Sequence, residues 1–223
     1  MSERVVVFLD WQNVYMRARE SFHVEAAAHP KGQVNPLDLG LELASRGRDG
    51  DRELIEVRIY RGVPDQAYDS VGYAASRRQM AAWARNNKIT IIGRTLRYPD
   101  GWPDCEEAPR EKGVDVALAV DLVTMAATGD FETAIVMSSD QDLSPAVDQV
   151  RSRSHLGGAR VEVAAWRGPN GRRPNRITAD HVYCHWLDQQ VYWGLQDDTD
   201  YRHSPDAPTG AFPRPPDRFT PRR

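Results

Sequence analysis

Asp10, Asp115, Asp140 and Asp142 are the side chains of this sequence best suited to act together. Asp10 follows directly on the apolar run Val5-Val6-Val7-Phe8-Leu9, and Asn13 comes three residues later. Asp140 and Asp142 follow Ala134-Ile135-Val136-Met137 across two serines, Ser138 and Ser139. Asp115 stands in the first turn of an apolar stretch from Val114 to Ala127. Carboxylates that converge without a counter-charge repel and hold protons. A hard divalent cation relieves both effects, and an all-oxygen donor set favours magnesium or manganese over zinc. No His or Cys falls within these segments. A cation held there would lower the pKa of a water and stabilise charge developing on a phosphodiester. Asn13 suits the orienting of a carboxylate or a phosphate, as do the hydroxyls and amides of Ser138 and Ser139. Each of these residues alone has an ordinary explanation as a turn former or helix cap. Their arrival at one place from three segments is what would make a site.

That arrival depends on the elements carrying them. Runs of β-branched and aromatic residues without alternation read as strands buried on both faces, the mark of a parallel sheet. The pattern predicts strands at Val5–Leu9, Glu53–Tyr60, Ile89–Leu96, Ala134–Met137 and Arg160–Ala165. Between them, helical spacing predicts helices over Asn13–Phe22, from Pro36, over Asp69–Asn86, over Val114–Ala127 and from Ser144 to about Arg153. The order β-α-α-β-α-β-α-β-α-β gives a three-layer α/β/α sandwich around a central, mainly parallel sheet. In such a sheet, ligands sit outside the carboxyl ends of the strands. Ile177–Gln196 is expected to return to the body as a short strand and helix, making one domain of residues 1–196. Residues 197–223 are rich in Pro and Arg, and from Ser204 a mobile tail is expected.

The whole chain has 223 residues, 40% hydrophobic and 27% charged, an ordinary soluble composition. A net charge of −3 means that any polyanion would have to be met by local patches. The two cysteines, Cys105 and Cys184, give no disulfide framework and suit a reducing cytoplasm. The first residues lack the apolar core of a signal peptide, and no apolar run reaches membrane-spanning length.

The segments VVVFLD10WQN13, K112GVD115VALAVD121 and VMSSD140QD142L resemble the NYN domain, the LabA-like branch of the PIN-like nuclease superfamily. The three motifs occur in the family's order, and the resemblance covers about Arg4 to Trp166, with Ile177–Trp186 as its last element. It implies a PIN-like fold and metal-dependent hydrolysis of RNA. Asp10, Asp115 and Asp140 fall on the family's acidic positions and would hold Mg²⁺ or Mn²⁺, with Asn13 and Asp142 in support. Trp11 and Ser139 depart from the pattern, standing where small residues are expected. A fourth acidic residue on an early helix, which some PIN-like enzymes carry, has no counterpart that the sequence reveals.

Lys112 suits holding a phosphate, pairing with a carboxylate, or simply facing water. Asp121 lies about 9 Å beyond Asp115 along the helix and off its face, which makes it a hydrogen-bond acceptor before a ligand. Asp142 is either a cap or a ligand. Arg61, Arg94 and Arg97 lie at strand ends and, with Arg77, Arg78 and the basic turn Arg167–Arg176, could form a track for a nucleic-acid backbone. Trp102 could stack a base. His181, Cys184 and His185 resemble a metal cluster in composition but lack partners at ligand spacing. The main expectation is a metal-dependent endoribonuclease with single-stranded or structured RNA as partner and with oligomerisation left open. The alternative is a catalytically silent RNA-binding or regulatory module that keeps the acidic pocket. An aspartyl phosphotransferase fits worse, because no second acid stands two residues after Asp10. A dinucleotide enzyme lacks its Gly-rich loop after the first strand.

Overall fold

The computed structural model describes residues 2–22, 32–47, 51–169 and 176–203. In chain order the elements are β1 (Glu3–Asp10), α1 (Trp11–Phe22), α2 (Pro36–Ser45), β2 (Arg52–Val63), α3 (Ser70–Trp83), β3 (Ile89–Thr95), α4 (Val114–Thr128), β4 (Thr133–Met137), α5 (Ser144–Ser154), β5 (Arg160–Trp166), β6 (Cys184–Leu187) and α6 (Gln189–Leu195). They form a six-stranded sheet in the order β3-β2-β1-β4-β5-β6, and every neighbouring pair is parallel. The α/β/α sandwich expected from the strand and helix pattern is therefore the fold.

β1 shows why the sheet sits where it does. Val5 to Leu9 are fully buried. Val5, Val7 and Leu9 point into one core with α1, α2, α6 and Trp83 of α3, while Val6 and Phe8 point into the other with α4 and α5. A strand buried on both faces has no polar side to alternate, hence its unbroken apolar run. Helix starts follow local chemistry too. Asn35 caps α2 by accepting from the amides of Leu37 and Asp38, and Pro36 supplies a preset φ in the first turn.

The chain moves outward from β1 through β2 to β3, then returns to the other side of β1 for β4, β5 and β6. The reversal lies between β1 and β4, where the loops leaving the two strands diverge and open a crevice. Asp10 closes β1, and Ser138 to Asp140 follow β4, so both acidic segments emerge at that crevice.

The expected C-terminal strand and helix are β6 and α6. Tyr192 of α6 is buried against Phe22 and Trp166, and its hydroxyl accepts from the Gly32 amide at 2.9 Å. The next residues stay on the body: Asp197 N bonds the Gln33 carbonyl, and Arg78 donates to the carbonyls of Tyr201 and Arg202. The tail expected from Ser204, with Arg214, Arg218, Arg222 and Arg223, lies outside the described residues, as do residues 170–175 of the basic turn. No helix among the described residues is long and apolar enough to cross a membrane.

Candidate metal centre

The crevice is organised by one hydrogen-bonded chain. Asp10 is only 5% exposed. Its Oδ2 accepts from Asn13 Nδ2 at 2.6 Å and from Ser138 Oγ at 2.7 Å, and its Oδ1 accepts from the Asn13 amide at 3.3 Å. Ser138 Oγ in turn accepts from the amide of Asp140 at 3.0 Å, which ties the end of β1 to the loop after β4. Ser139 Oγ donates to Asn13 Oδ1 and accepts from Arg17 Nε at 2.9 Å. Asn13 thus acts on Asp10, and Ser139 acts on Asn13. Trp11 does not crowd this chain; it turns into the core and meets Trp83 edge-on with ring centroids 4.4 Å apart.

Asp115, Asp140 and Asp142 each bring a carboxylate oxygen within 4.8 Å of the others. Asp115 is delivered by the first turn of α4, which starts at Gly113 in the left-handed region (φ 71°) with no side-chain cap. Its free amides and the positive end of the helix dipole face the acidic group. Asp140 is both cap and acid: its Oδ1 accepts from the Asp142 amide at 2.9 Å. The three oxygens fit a hard cation such as Mg²⁺ or Mn²⁺ in chemistry and spacing. Asp142 stands in this group, whereas Asp10 is outside it and is hydrogen-bonded to Asn13 and Ser138. Lys112 is exposed beside a cleft of about 610 Å³ that Arg97, Tyr98, Arg110 and Glu111 also line.

Sequence reasoning missed Glu111. Its Oε1 accepts from the Gly62 amide at 2.5 Å, and both Asp10 and Asp115 act on its charge. A Cβ on residue 62 would stand 2.7 Å from that oxygen, so glycine is what lets the carboxylate approach β2. The only signal in the sequence was its position one residue ahead of Lys112. Burial raises the pKa of Asp10 and of Glu111; Asp140 adds to the rise at Asp10, and Asp10 and Asp115 add to that at Glu111. In the metal-free protein these carboxyls keep protons to higher pH than the unfolded chain does. Their ionisation therefore removes stability as pH rises out of the ordinary carboxylate range. A cation entering the crevice must displace such protons. Titrating Mn²⁺ into EDTA-treated protein, followed by calorimetry in buffers of different ionisation enthalpy, should show proton release in mildly acidic buffer and none in alkaline buffer. Equal release at both would contradict the raised values.

Asp121 is not part of the centre: its Oδ2 accepts from Arg58 at 2.6 Å and from the Tyr60 hydroxyl at 2.8 Å. Cys184 and His185 lie on β6, the sheet edge, and His185 meets Glu162 at 2.6 Å. Neither belongs to a metal-capable group among the described residues. Of the supposed basic track, Arg78 is committed to carbonyls and Arg167 lies 3.7 Å from Asp188. Trp102 packs edge-on to Tyr98, which stacks on Tyr68 at 4.5 Å. The loop that carries Tyr98 and Trp102 is closed by paired backbone bonds between Arg97 and Arg110.

The parallel sheet, its reversal between β1 and β4, and the acidic crevice there define an α/β domain of PIN-like architecture. The chain belongs to the NYN domain family, whose model matches residues 4–185. A solved structure from Vibrio parahaemolyticus, a protein of unknown function, is similar in fold: TM-score 0.51 at 16% identity, covering 84% of this chain and 94% of that one. No curated protein matches the sequence.

Proposed function

We propose that this chain, a member of the LabA-like branch of its family, is a metal-dependent endoribonuclease of the cytoplasm. The observation that carries the reading is the approach of Asp115, Asp140 and Asp142 oxygens to within 4.8 Å at the carboxyl end of a parallel sheet. These three residues hold Mg²⁺ or Mn²⁺, with Asp10 close behind them as a further acidic group. The bound cation supplies Lewis acidity toward a phosphodiester and acidifies a water. The protein does the rest by position. Asn13 and Ser138 fix the Asp10 carboxylate, and Ser138 couples it to the loop bearing Asp140 and Asp142. The amides at the start of α4 and the Lys112 ammonium meet phosphate oxygens. The expected substrate is RNA, single-stranded or structured.

The test is incubation of the full chain with single-stranded RNA and Mn²⁺ or Mg²⁺, scored separately for retention and for products. Products that disappear on adding EDTA are expected. RNA retained without products at any cation concentration would instead make this a silent RNA-binding module. The hydrogen bonding of the buried Asp10 to Asn13 and Ser138 is the feature favouring that second reading.

A further inference from the structure

β2 runs beyond its pairing with β1. Tyr60 is the register partner of Asp10, and Arg61 follows it at the same edge of the sheet. The Arg61 guanidinium lies over the Trp83 ring, 5.6 Å from its centroid, with Nη1 donating to Gln79 Oε1 at 2.6 Å and Nε to the Gly62 carbonyl at 3.4 Å. Burial lowers its pKa to about 10, with Glu111 acting in the opposite sense through space. Among the described residues no carboxylate forms an ion pair with it, and its guanidinium donates to Gln79 and Gly62 alone. Gln79 is itself buried and holds Nη1 in place, a positioning residue.

Two hollows meet at this arginine. One, of about 230 Å³, is walled by Trp11, Gln12, Gly62 and Glu111 and faces the acidic crevice. The other, of about 240 Å³, is lined by Ser76, Tyr201 and Arg202; Gln33, Arg61 and Gln79 belong to both. Ser76 is 4% exposed, yet its Oγ has no hydrogen-bond partner. A buried hydroxyl left unmade keeps its full desolvation penalty, which a ligand oxygen would remove. Two acids also line this hollow, but both are engaged. Asp69 accepts from the Gly72 amide at 2.8 Å, and Asp200 accepts from the Arg202 amide at 2.9 Å and pairs with His203 at 2.8 Å.

We propose that Arg61 and Ser76, with Arg202 at the mouth, form a phosphate-binding subsite. It takes a phosphate of the substrate other than the one being cut. Arginine's fork and a hydroxyl donor are the chemistry that phosphate oxygens accept from. The assignment of the phosphate to RNA rests on the nuclease reading; binding of the anion itself does not.

The test uses the full chain in EDTA, so that no RNA is cut, with inorganic phosphate followed by calorimetry. Saturable binding is expected in the wild type. Arg61→Gln should weaken it by at least ~10-fold and Ser76→Ala by about 3- to 10-fold. Because Ser76→Ala deletes a hydroxyl with no partner, its melting temperature should be unchanged or higher, which separates lost binding from lost fold. A second arm compares 5′-phosphorylated with 5′-hydroxyl RNA oligonucleotides as competitors for phosphate. Preference for the former assigns the subsite to a chain end, and equal competition assigns it to an internal phosphodiester. Absence of saturable phosphate binding overturns the subsite, as does binding that neither substitution alters. Phosphate binding lost on Ser76→Ala in a protein that cuts no RNA would leave the subsite standing and remove only the nuclease.

Discussion

Asp140→Asn should reduce RNA cleavage by on the order of 10³-fold while the protein remains folded. The loss reflects the several kcal/mol that carboxylate-bound cation chemistry contributes to such a reaction. Asparagine is as good a helix cap as aspartate, so the amide of Asp142, now 2.9 Å from Asp140 Oδ1, keeps its acceptor. What disappears is the charge. The same substitution at Asp121 is the control, because that carboxylate serves Arg58 and Tyr60, away from the crevice. Asp121→Asn should cost stability, visible as a lower melting temperature, and leave the rate per folded molecule within a few fold. Cleavage rates at saturating Mn²⁺, measured beside thermal melts, decide the matter. Full activity in Asp140→Asn would remove the acidic crevice from the reaction.

The second large effect concerns stability, at residues far from the crevice. Arg52 on β2 reaches across the sheet to Glu3 at 2.9 Å and to Glu162 at 2.8 Å, and its side chain is only 5% exposed. Glu162 also meets His185 on the edge strand, and Glu3 pairs with Arg160. The network thus links β1, β2, β5 and β6 through ion pairs and the His185–Glu162 hydrogen bond. Arg52→Met keeps the apolar stem but strands two nearly buried carboxylates, and should cost about 3 kcal/mol at neutral pH. The cost has a pH signature. Burial alone would raise Glu162, but hydrogen bonds from His185 and Arg52 outweigh it and hold its pKa at about 2. A carboxylate depressed on folding contributes stability above its unfolded pKa and loses it as pH falls through the folded one. The gap between wild type and Arg52→Met should therefore be full at neutral pH, narrow below the ordinary carboxylate range, and close toward pH 2. Denaturant unfolding across that range measures it. A gap independent of pH would mean that Arg52 acts through packing alone.

The sheet and most of its helices were legible because their signals are local. Val5 to Leu9 is apolar at every position, which only a strand covered on both faces can use. Pro36 and Ser144-Pro145 mark helix starts by backbone geometry alone. The acids themselves were legible for a related reason: an aspartate directly after a buried strand must emerge at the rim. The sequence also allowed Asp121 to be set apart, since helical rotation places it off the face of Asp115.

The strand order was not legible, because parallel connections of similar length can step either way along a sheet. That order puts the reversal between β1 and β4 and so decides which loops share a crevice. Only tertiary packing could bring Asp142 together with Asp115 and Asp140 and leave Asp10 outside that group. Asp10 and Asp142 both follow apolar runs, but Asp10 is buried against Asn13 and Ser138, while the turn after Asp140 swings Asp142 toward Asp115. Glu111 and Arg61 show the same limit from the other side. Glu111 lies in no recognisable pattern and Arg61 showed only its place at a strand end; each gains its meaning from a contact distant in sequence: the Gly62 amide for one, Gln79 and Trp83 for the other. Side-chain type and local spacing determined which groups reach the rim; the approach of distant backbone segments, a long-range matter of packing, decided which of them meet.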